Sequence, residues 1–413
     1  MSVNVKINEK CINLCLFRII FETMIKFSAL TSAETIRTPF YYYDVELLKK
    51  TLSLVKSLSK QYGIICHYAV KANAEPQILS YISSLGFGAD CVSGNEVSAS
   101  VKCGFSPETV MFAGVGKTDE EIRTALSLGI GCFNVESVPE LEAIDAIATE
   151  MNRIAPVAFR INPNVDAHTH KKVTTGLNEN KFGISEFEFE NAIAALKQCK
   201  SVVFKGLQCH VGSQILEVEE VYELECQKMK EFAEWFEQRG IEVENIDLGG
   251  GLGIDYEDPD ANPIPDFELW FKTIRKVFGT ESKYRLHVEP GRSLVASCGS
   301  LISRVVYVKQ GRQKAFAIID AGMNDLIRPA LYGSYHKIEN MSAYWQRKDS
   351  NMKKYDVVGP ICESSDVWGE GRALPDTVRG DLIALRCAGA YGQVMSSRYN
   401  LRDLAPAVYS EEL

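Results

Sequence analysis

The 413-residue sequence predicts an α/β fold: a (β/α)8 TIM-like barrel followed by a C-terminal β-rich domain. Three observations support this. Eight apolar or β-branched runs, bounded by Gly, Pro and Asn, alternate with amphipathic stretches between Ile64 and Glu289. The residues with reactive side chains fall at or just after the ends of those runs, where a barrel of this type builds its active site. Beyond Arg292 the texture changes to short strand-like runs separated by polar turns such as Gln310-Gly311-Arg312.

The eight candidate strands are Ile64–Val70, Gly86–Asp90, Thr109–Ala113, Ile130–Val135, Pro156–Asn162, Val203–Val211, Glu244–Leu248 and Tyr284–Glu289. Between them, Thr118–Leu128, Ser137–Met151, Glu186–Cys199 and Val221–Arg239 repeat apolar residues at spacings of three and four, as a helix with one buried face does. Lys71 follows the first strand, Asp90 closes the second, Arg160 lies in the fifth, His210 in the sixth, Gly249–Gly251 follow the seventh, and Glu289 ends the eighth. After the barrel, Leu301–Val308, Lys314–Asp320, Tyr355–Gly359 and Asp381–Ala388 are expected strands. Thr38–Tyr43 (TPFYYY) is too extended for the helix beginning at Asp44 and is expected to pair with that later sheet. The expected organisation is a barrel over 44–290, a β domain made of 26–43 plus 291–413, and an N-terminal extension over 1–25.

That extension contains Cys11–Phe21, an apolar run behind Lys6 and Lys10 that superficially resembles a secretion signal. Arg18 interrupts it, no small-residue cleavage site follows, and it falls well short of the roughly 20 residues that span a bilayer. The expectation is a non-secreted chain whose functional start is Met24, with a dispensable leader.

Composition narrows the class. A hydrophobic content of 46% can bury a large core. The net charge is -9 and the Lys and Arg residues are scattered, so neither nucleic acid nor a membrane is an expected partner. Twelve cysteines without a CxxC pair indicate a reduced, cytoplasmic protein with neither a disulfide framework nor a metal site.

Lys71 stands in YAVKAN immediately after a buried strand, where partial desolvation would lower its pKa and free its amine for Schiff-base chemistry. An ordinary solvated lysine is the alternative. IDLGGGLG at Ile246–Gly253 puts three glycines after a late barrel strand, a place where backbone N–H groups can approach a phosphate, although a plain tight turn has the same composition. Glu289 opens EPGRS; a carboxylate there would keep a cofactor's pyridine nitrogen protonated, or would pair with Arg292. His210 and Ser213 in GLQCHVGSQI could stack on such a ring and donate to its phosphate, while His168 and His170 carry no assigned role.

Taken together and in order, YAVKAN, GFGADCVSGNE, FRINPNVD, ENKFGI, CHVGSQI, LGGGLG, EPGRS, IDAGMNDLIRPALY, GPICESSD and AGAYG closely resemble the diaminopimelate decarboxylases, within the fold-type III pyridoxal-phosphate decarboxylases. The resemblance runs from about Thr38 to the C-terminus. It implies pyridoxal 5'-phosphate as cofactor, meso-diaminopimelate as substrate, L-lysine and carbon dioxide as products, and the last step of lysine biosynthesis. It makes Lys71 the cofactor lysine and Cys362 a proton donor. Asp90, Arg160, His210, Ser213, Gly250, Gly251, Glu289, Gly291, Arg292 and Tyr391 would hold the cofactor. Arg292, Arg328, Tyr332, Glu363 and Tyr391 would bind the substrate. Cys362 and Glu363 would enter from the partner subunit of a homodimer. Gln208 departs from the pattern, since many relatives carry a histidine there. Decarboxylases of ornithine, arginine or carboxynorspermidine, an alanine racemase, and a non-catalytic pyridoxal-phosphate carrier are the rival readings. The MNDLIRPALY and CES blocks, Glu289 and the C-terminal β domain argue against them.

Overall fold

The computed structural model describes residues 36–165, 181–347 and 350–413. The N-terminal extension with its proposed start at Met24, and His168 and His170, lie outside the described residues.

The chain enters through β1 (Phe40–Tyr43) and continues into a helix over Val45–Tyr62. Asp44 caps that helix by accepting a hydrogen bond from Leu47 N at 2.9 Å, and Gly63, at φ 60°, ends it in the left-handed conformation. Eight strands follow and close on themselves: β2 (Ile64–Ala69), β3 (Gly88–Cys91), β4 (Val110–Phe112), β5 (Cys132–Val135), β6 (Ala155–Arg160), β7 (Val202–Gln208), β8 (Asn245–Asp247) and β9 (Arg285–Val288). Every neighbouring pair is parallel, including the closing pair β2 and β9. Each falls on one of the eight runs named above. The intervening helices begin where the sequence supplies caps: Thr118 and Glu121 form a capping box before Asp119–Leu128, and Ser137 caps Val138–Glu150.

The barrel interior is polar for a core. His67 Nε2 lies 2.9 Å from His287 Nδ1, in the layer below Ala69 and Glu289, as the two-residue alternation of a strand requires. Gly88 makes room for this pair, since a Cβ there would stand 2.1 Å from His67 Nδ1.

The second sheet runs β12 (Ile338–Asn340), β15 (Leu382–Leu385), β10 (Gly299–Gln310), β11 (Ala315–Ile319), β13 (Met352–Val358) and β14 (Val367–Pro375). β1 pairs antiparallel with β10, Phe40 opposite Ile302, and parallel with β16 (Ala407–Tyr409). Tyr41 and Tyr43 join the main core while Phe40 and Tyr42 pack with Ile302, Met341, Leu382 and Ala384, so β1 is buried on both faces and all four of its residues are aromatic. The sequence reading omitted β12, β14 and β16. β12 and β16 have three residues each, and β14 lies at the sheet's edge with Gly369 and Gly371 breaking its alternation. Among the described residues, no helix is long and apolar enough to cross a membrane.

Candidate active site

A cavity of about 810 Å³ opens at the C-terminal ends of the barrel strands, with Arg328, Tyr332 and Tyr391 of the C-terminal region also in its wall. Lys71 reaches it from a single 3-10 turn, Val70–Ala72, that follows β2 directly. Its Nζ lies 3.1 Å from Asp90 Oδ2 at the end of β3, and 36% of the side chain is exposed to the cavity. The sequence expectation of a lowered pKa is overturned here. Burial does disfavour the ammonium, but Asp90, Tyr391 and Glu289 together outweigh it and hold the Lys71 pKa above its ordinary value.

Arg160, at the end of β6, is buried beside Glu136: Nη1 donates to Glu136 Oε1 at 2.7 Å, and the guanidinium lies 4.6 Å from the Phe182 ring centroid. The same carboxylate accepts from Gly114 N at 2.9 Å and Gly183 N at 3.0 Å, gathering three loops around one charge. Glu289 follows β9 and faces two other acids and two bases. Burial, then the charges of Asp247 and Asp90, push its pKa well above the carboxylate range, against the pull of Lys71 and Arg160. Burial, and then the Asp90 charge, also raise Asp247, to about 7, against the pull of the Gly249 N–H and of Lys71, so the pair retains a proton. Gln208 Nε2 donates to Glu289 Oε2 at 3.0 Å, whereas Oε1 is buried without a hydrogen-bonded partner.

His210 lines the cavity, and burial followed by the charges of Lys71 and Arg160 depresses its pKa well below 6.5, leaving a neutral ring. Gly250 N–H donates to His210 Nδ1 at 3.3 Å. Gly250 itself does not line the cavity; a Cβ there would meet the Glu289 carbonyl oxygen at 2.2 Å. Gly251, at φ 106°, does line it, beside Gly291 and Ser213.

Arg292 does not turn to Glu289. Its Nη1 donates to the Tyr256 hydroxyl at 2.6 Å and its Nη2 to Ser213 Oγ at 2.9 Å, and its guanidinium lies 4.9 Å from the Tyr391 ring centroid. Tyr391 adopts φ 56° and is tied to the lysine turn by its N–H to Ala72 O, 2.8 Å. Arg328 Nη1 donates to the same Tyr256 hydroxyl at 2.9 Å and to His336 Nε2 at 3.0 Å. His336 Nδ1 meets the Arg386 carbonyl at 2.8 Å, so Nδ1 carries the hydrogen and Nε2 accepts. Burial and the Arg328 charge lower its pKa to about 3.

Besides Gly250, the expected site residues outside the cavity are Cys362 and Glu363. Both are exposed; Cys362 N donates to Asn400 Oδ1 at 3.2 Å, and Tyr399 OH to Glu363 Oε1 at 2.5 Å. Seven of the ten described cysteines are buried and all ten are free. Sequence reasoning gave no role to Glu136, Asp247, Tyr256 or His336. Glu136 carries the signal used for Asp90 and Glu289, an acid at a strand end, and Asp247 sits within IDLGGGLG. Tyr256 and His336 lie in irregular segments without a motif. No cluster of three or more His, Cys, Asp or Glu among the described residues is arranged to hold a metal.

The residues present fit pyridoxal phosphate. They offer an amine in the cavity, a buried carboxyl oxygen lacking a protein donor, and a glycine at which a Cβ would collide with the Gly212 carbonyl oxygen at 2.5 Å.

Comparison with known proteins agrees. The family model described as pyridoxal-dependent decarboxylase, pyridoxal binding domain, matches residues 47–296. A diaminopimelate decarboxylase of Bacteroides thetaiotaomicron is 52% identical over 380 residues, covering 92% of this chain and 97% of that protein. One from Neisseria meningitidis serogroup B is 40% identical over 376 residues, 91% of this chain and 88% of the other. The crystal structure of diaminopimelate decarboxylase from Helicobacter pylori complexed with L-lysine superposes with a TM-score of 0.84 at 38% identity, covering 92% of this chain and 93% of that one.

Proposed function

We propose a division of labour among the residues of this chain, which belongs to the diaminopimelate decarboxylases, a family of pyridoxal-dependent enzymes. The reaction removes the D-centre carboxyl of meso-2,6-diaminopimelate, giving L-lysine and carbon dioxide, the last step of lysine biosynthesis. One observation supports the assignment most: the Lys71 amine, the Glu289 carboxyl and the guanidinium groups of Arg160, Arg292 and Arg328 converge on a single cavity.

When bound, pyridoxal phosphate supplies the electron sink for the pair left behind as carbon dioxide departs. Lys71 is the residue that holds it. Asp90 keeps that amine charged and aligned until the cofactor arrives. Glu289, steadied by Gln208 and raised in pKa beside Asp247, would hold a proton at the pyridine nitrogen. His210 would stack on the cofactor as a neutral ring, and Ser213, Gly250, Gly251 and Gly291 would form the phosphate side. Arg160 adds positive charge, fixed in place by Glu136. Arg292, Arg328 and Tyr332 bind the substrate's far carboxylate, where planar guanidinium groups match a carboxylate. Tyr391, in the cavity wall, would border both cofactor and substrate.

Cys362 supplies a proton to the carbon that has lost carbon dioxide, and Glu363 binds the far ammonium. Both are exposed and outside their own chain's cavity, which supports a homodimer in which each copy completes the other's site. Free, mostly buried thiols support a reducing, cytoplasmic setting.

Incubating the protein and cofactor with meso-diaminopimelate should yield equimolar lysine and carbon dioxide. Ornithine lacks the far carboxylate and would leave buried guanidinium groups unpaired, so a preference of at least about a hundredfold over it is expected. Comparable turnover of ornithine or arginine would move the chain to those decarboxylases. Cofactor binding without turnover would make it a carrier.

A further inference from the structure

Tyr256 is an irregular-loop residue with an unusual hydrogen-bonding position. Its hydroxyl oxygen accepts from Arg292 at 2.6 Å and from Arg328 at 2.9 Å, so it bridges two guanidinium groups, one just after the last barrel strand and one from the C-terminal region. The ring is held independently of those bonds. It packs edge-on against His336, with centroids 5.2 Å apart and planes at 78°, and the Arg328 guanidinium lies 5.1 Å from its centroid. Its loop is anchored on both sides: Asp255 Oδ1 accepts from Glu257 N and Asp258 N at 2.9 and 2.8 Å, and Asp260 meets Arg386 at 2.8 Å.

A phenol has one hydrogen and an oxygen that accepts. With the oxygen already engaged by two cations, the hydrogen is what the group has left to give, and Tyr256 lines the cavity. Two charged donors and a polarised O–H therefore surround the same region. An acceptor such as a carboxylate is matched there, whereas an ammonium meets only donors.

We propose that Tyr256 is a specificity-determining residue of the decarboxylase. Its hydroxyl sets the spacing of Arg292 and Arg328 and donates its hydrogen to the far carboxylate of the substrate. This rests on the assignment of Arg292 and Arg328 to that carboxylate. Tyr256 touches none of the reacting bonds, so its loss should be felt in binding and discrimination and not in the chemical step.

The test compares Tyr256→Phe and Arg328→Gln holoenzymes, using meso-diaminopimelate and D-lysine, which has the same reacting centre and far amine but no far carboxylate. Tyr256→Phe should raise KM for diaminopimelate about tenfold, the loss of one hydrogen bond to a charged group, with kcat within about threefold. Its kcat/KM for D-lysine and the visible absorbance of the bound cofactor should not change, and calorimetric affinity for L-lysine should fall by the same tenfold. An equal loss toward both substrates would mean a merely structural role and would overturn the proposal. So would a KM within twofold of the wild type while Arg328→Gln raises it. An unchanged KM in Arg328→Gln would instead remove the carboxylate assignment on which the proposal stands.

Discussion

Replacing Glu136 with glutamine tests whether the arginine beside the cavity depends on one buried carboxylate. In the wild type Oε1 accepts from Arg160 Nη1 at 2.7 Å and Gly114 N at 2.9 Å, while Oε2 accepts from Gly183 N at 3.0 Å. The two side chains are almost wholly buried, with 9% and 2% of their surfaces exposed for Arg160 and Glu136. Glutamine keeps the shape but offers only one acceptor oxygen. Whichever way it turns, its amide NH2 confronts at least one N–H, and Arg160 loses its counter-charge. An orphaned buried donor costs about 1–3 kcal/mol, and breaking a buried ion pair about 3–5 kcal/mol. Because the retained oxygen can still serve one side, a net loss of roughly 3 kcal/mol is expected. The assay is the urea midpoint of the cofactor-free protein, with cofactor affinity as the functional readout. Glu150→Gln, which breaks the exposed pair with Arg123, is the control and should leave the midpoint in place. If Glu136→Gln moved the midpoint no further than that control, the argument from burial and bond count would be wrong.

Acid should weaken the fold through His336. Its folded pKa of about 3 lies below the ordinary 6.5, so the unfolded chain takes a proton that the folded one refuses. The stabilisation is complete above pH 6.5 and is lost as pH falls toward 3, roughly 4–5 kcal/mol over the whole window. His336→Gln should flatten urea midpoints measured between pH 7 and 4, and an identical slope would contradict this. Gly250→Ala would put a Cβ 2.2 Å from the Glu289 carbonyl oxygen; a loss of about 1–3 kcal/mol together with weaker cofactor uptake is expected, and unchanged affinity would show that the strand end moves freely. Cys362→Ala should slow turnover severely while the bound cofactor's visible absorbance persists, and full activity would require another proton donor.

The sequence reveals a great deal where one residue's environment is dictated by its own strand. Barrel strands are covered on both sides, so β2 to β9 stand out as apolar or β-branched runs, and Asp44, Thr118 and Ser137 mark where helices start. Lys71, Asp90 and Glu289 could be placed at the barrel mouth by the same reasoning, because a strand's end fixes where its next side chain goes. β14 was hidden because an edge strand faces solvent and tolerates Gly369 and Gly371.

What sequence could not supply is anything that depends on who meets whom. Desolvation of Lys71 was legible from its flanking strand, yet its ionisation is decided by Asp90, Glu289 and Tyr391, which the barrel and the C-terminal region bring from separate segments. Tyr256 and Arg328 are 72 positions apart, and neither local pattern announces the other. Periodicity and capping are properties of neighbours along the chain, so the sequence by itself determined the elements and their order. Charge and hydrogen bonding act through space, so only the closed tertiary structure decided which groups carry protons and which hydroxyl joins two arginines.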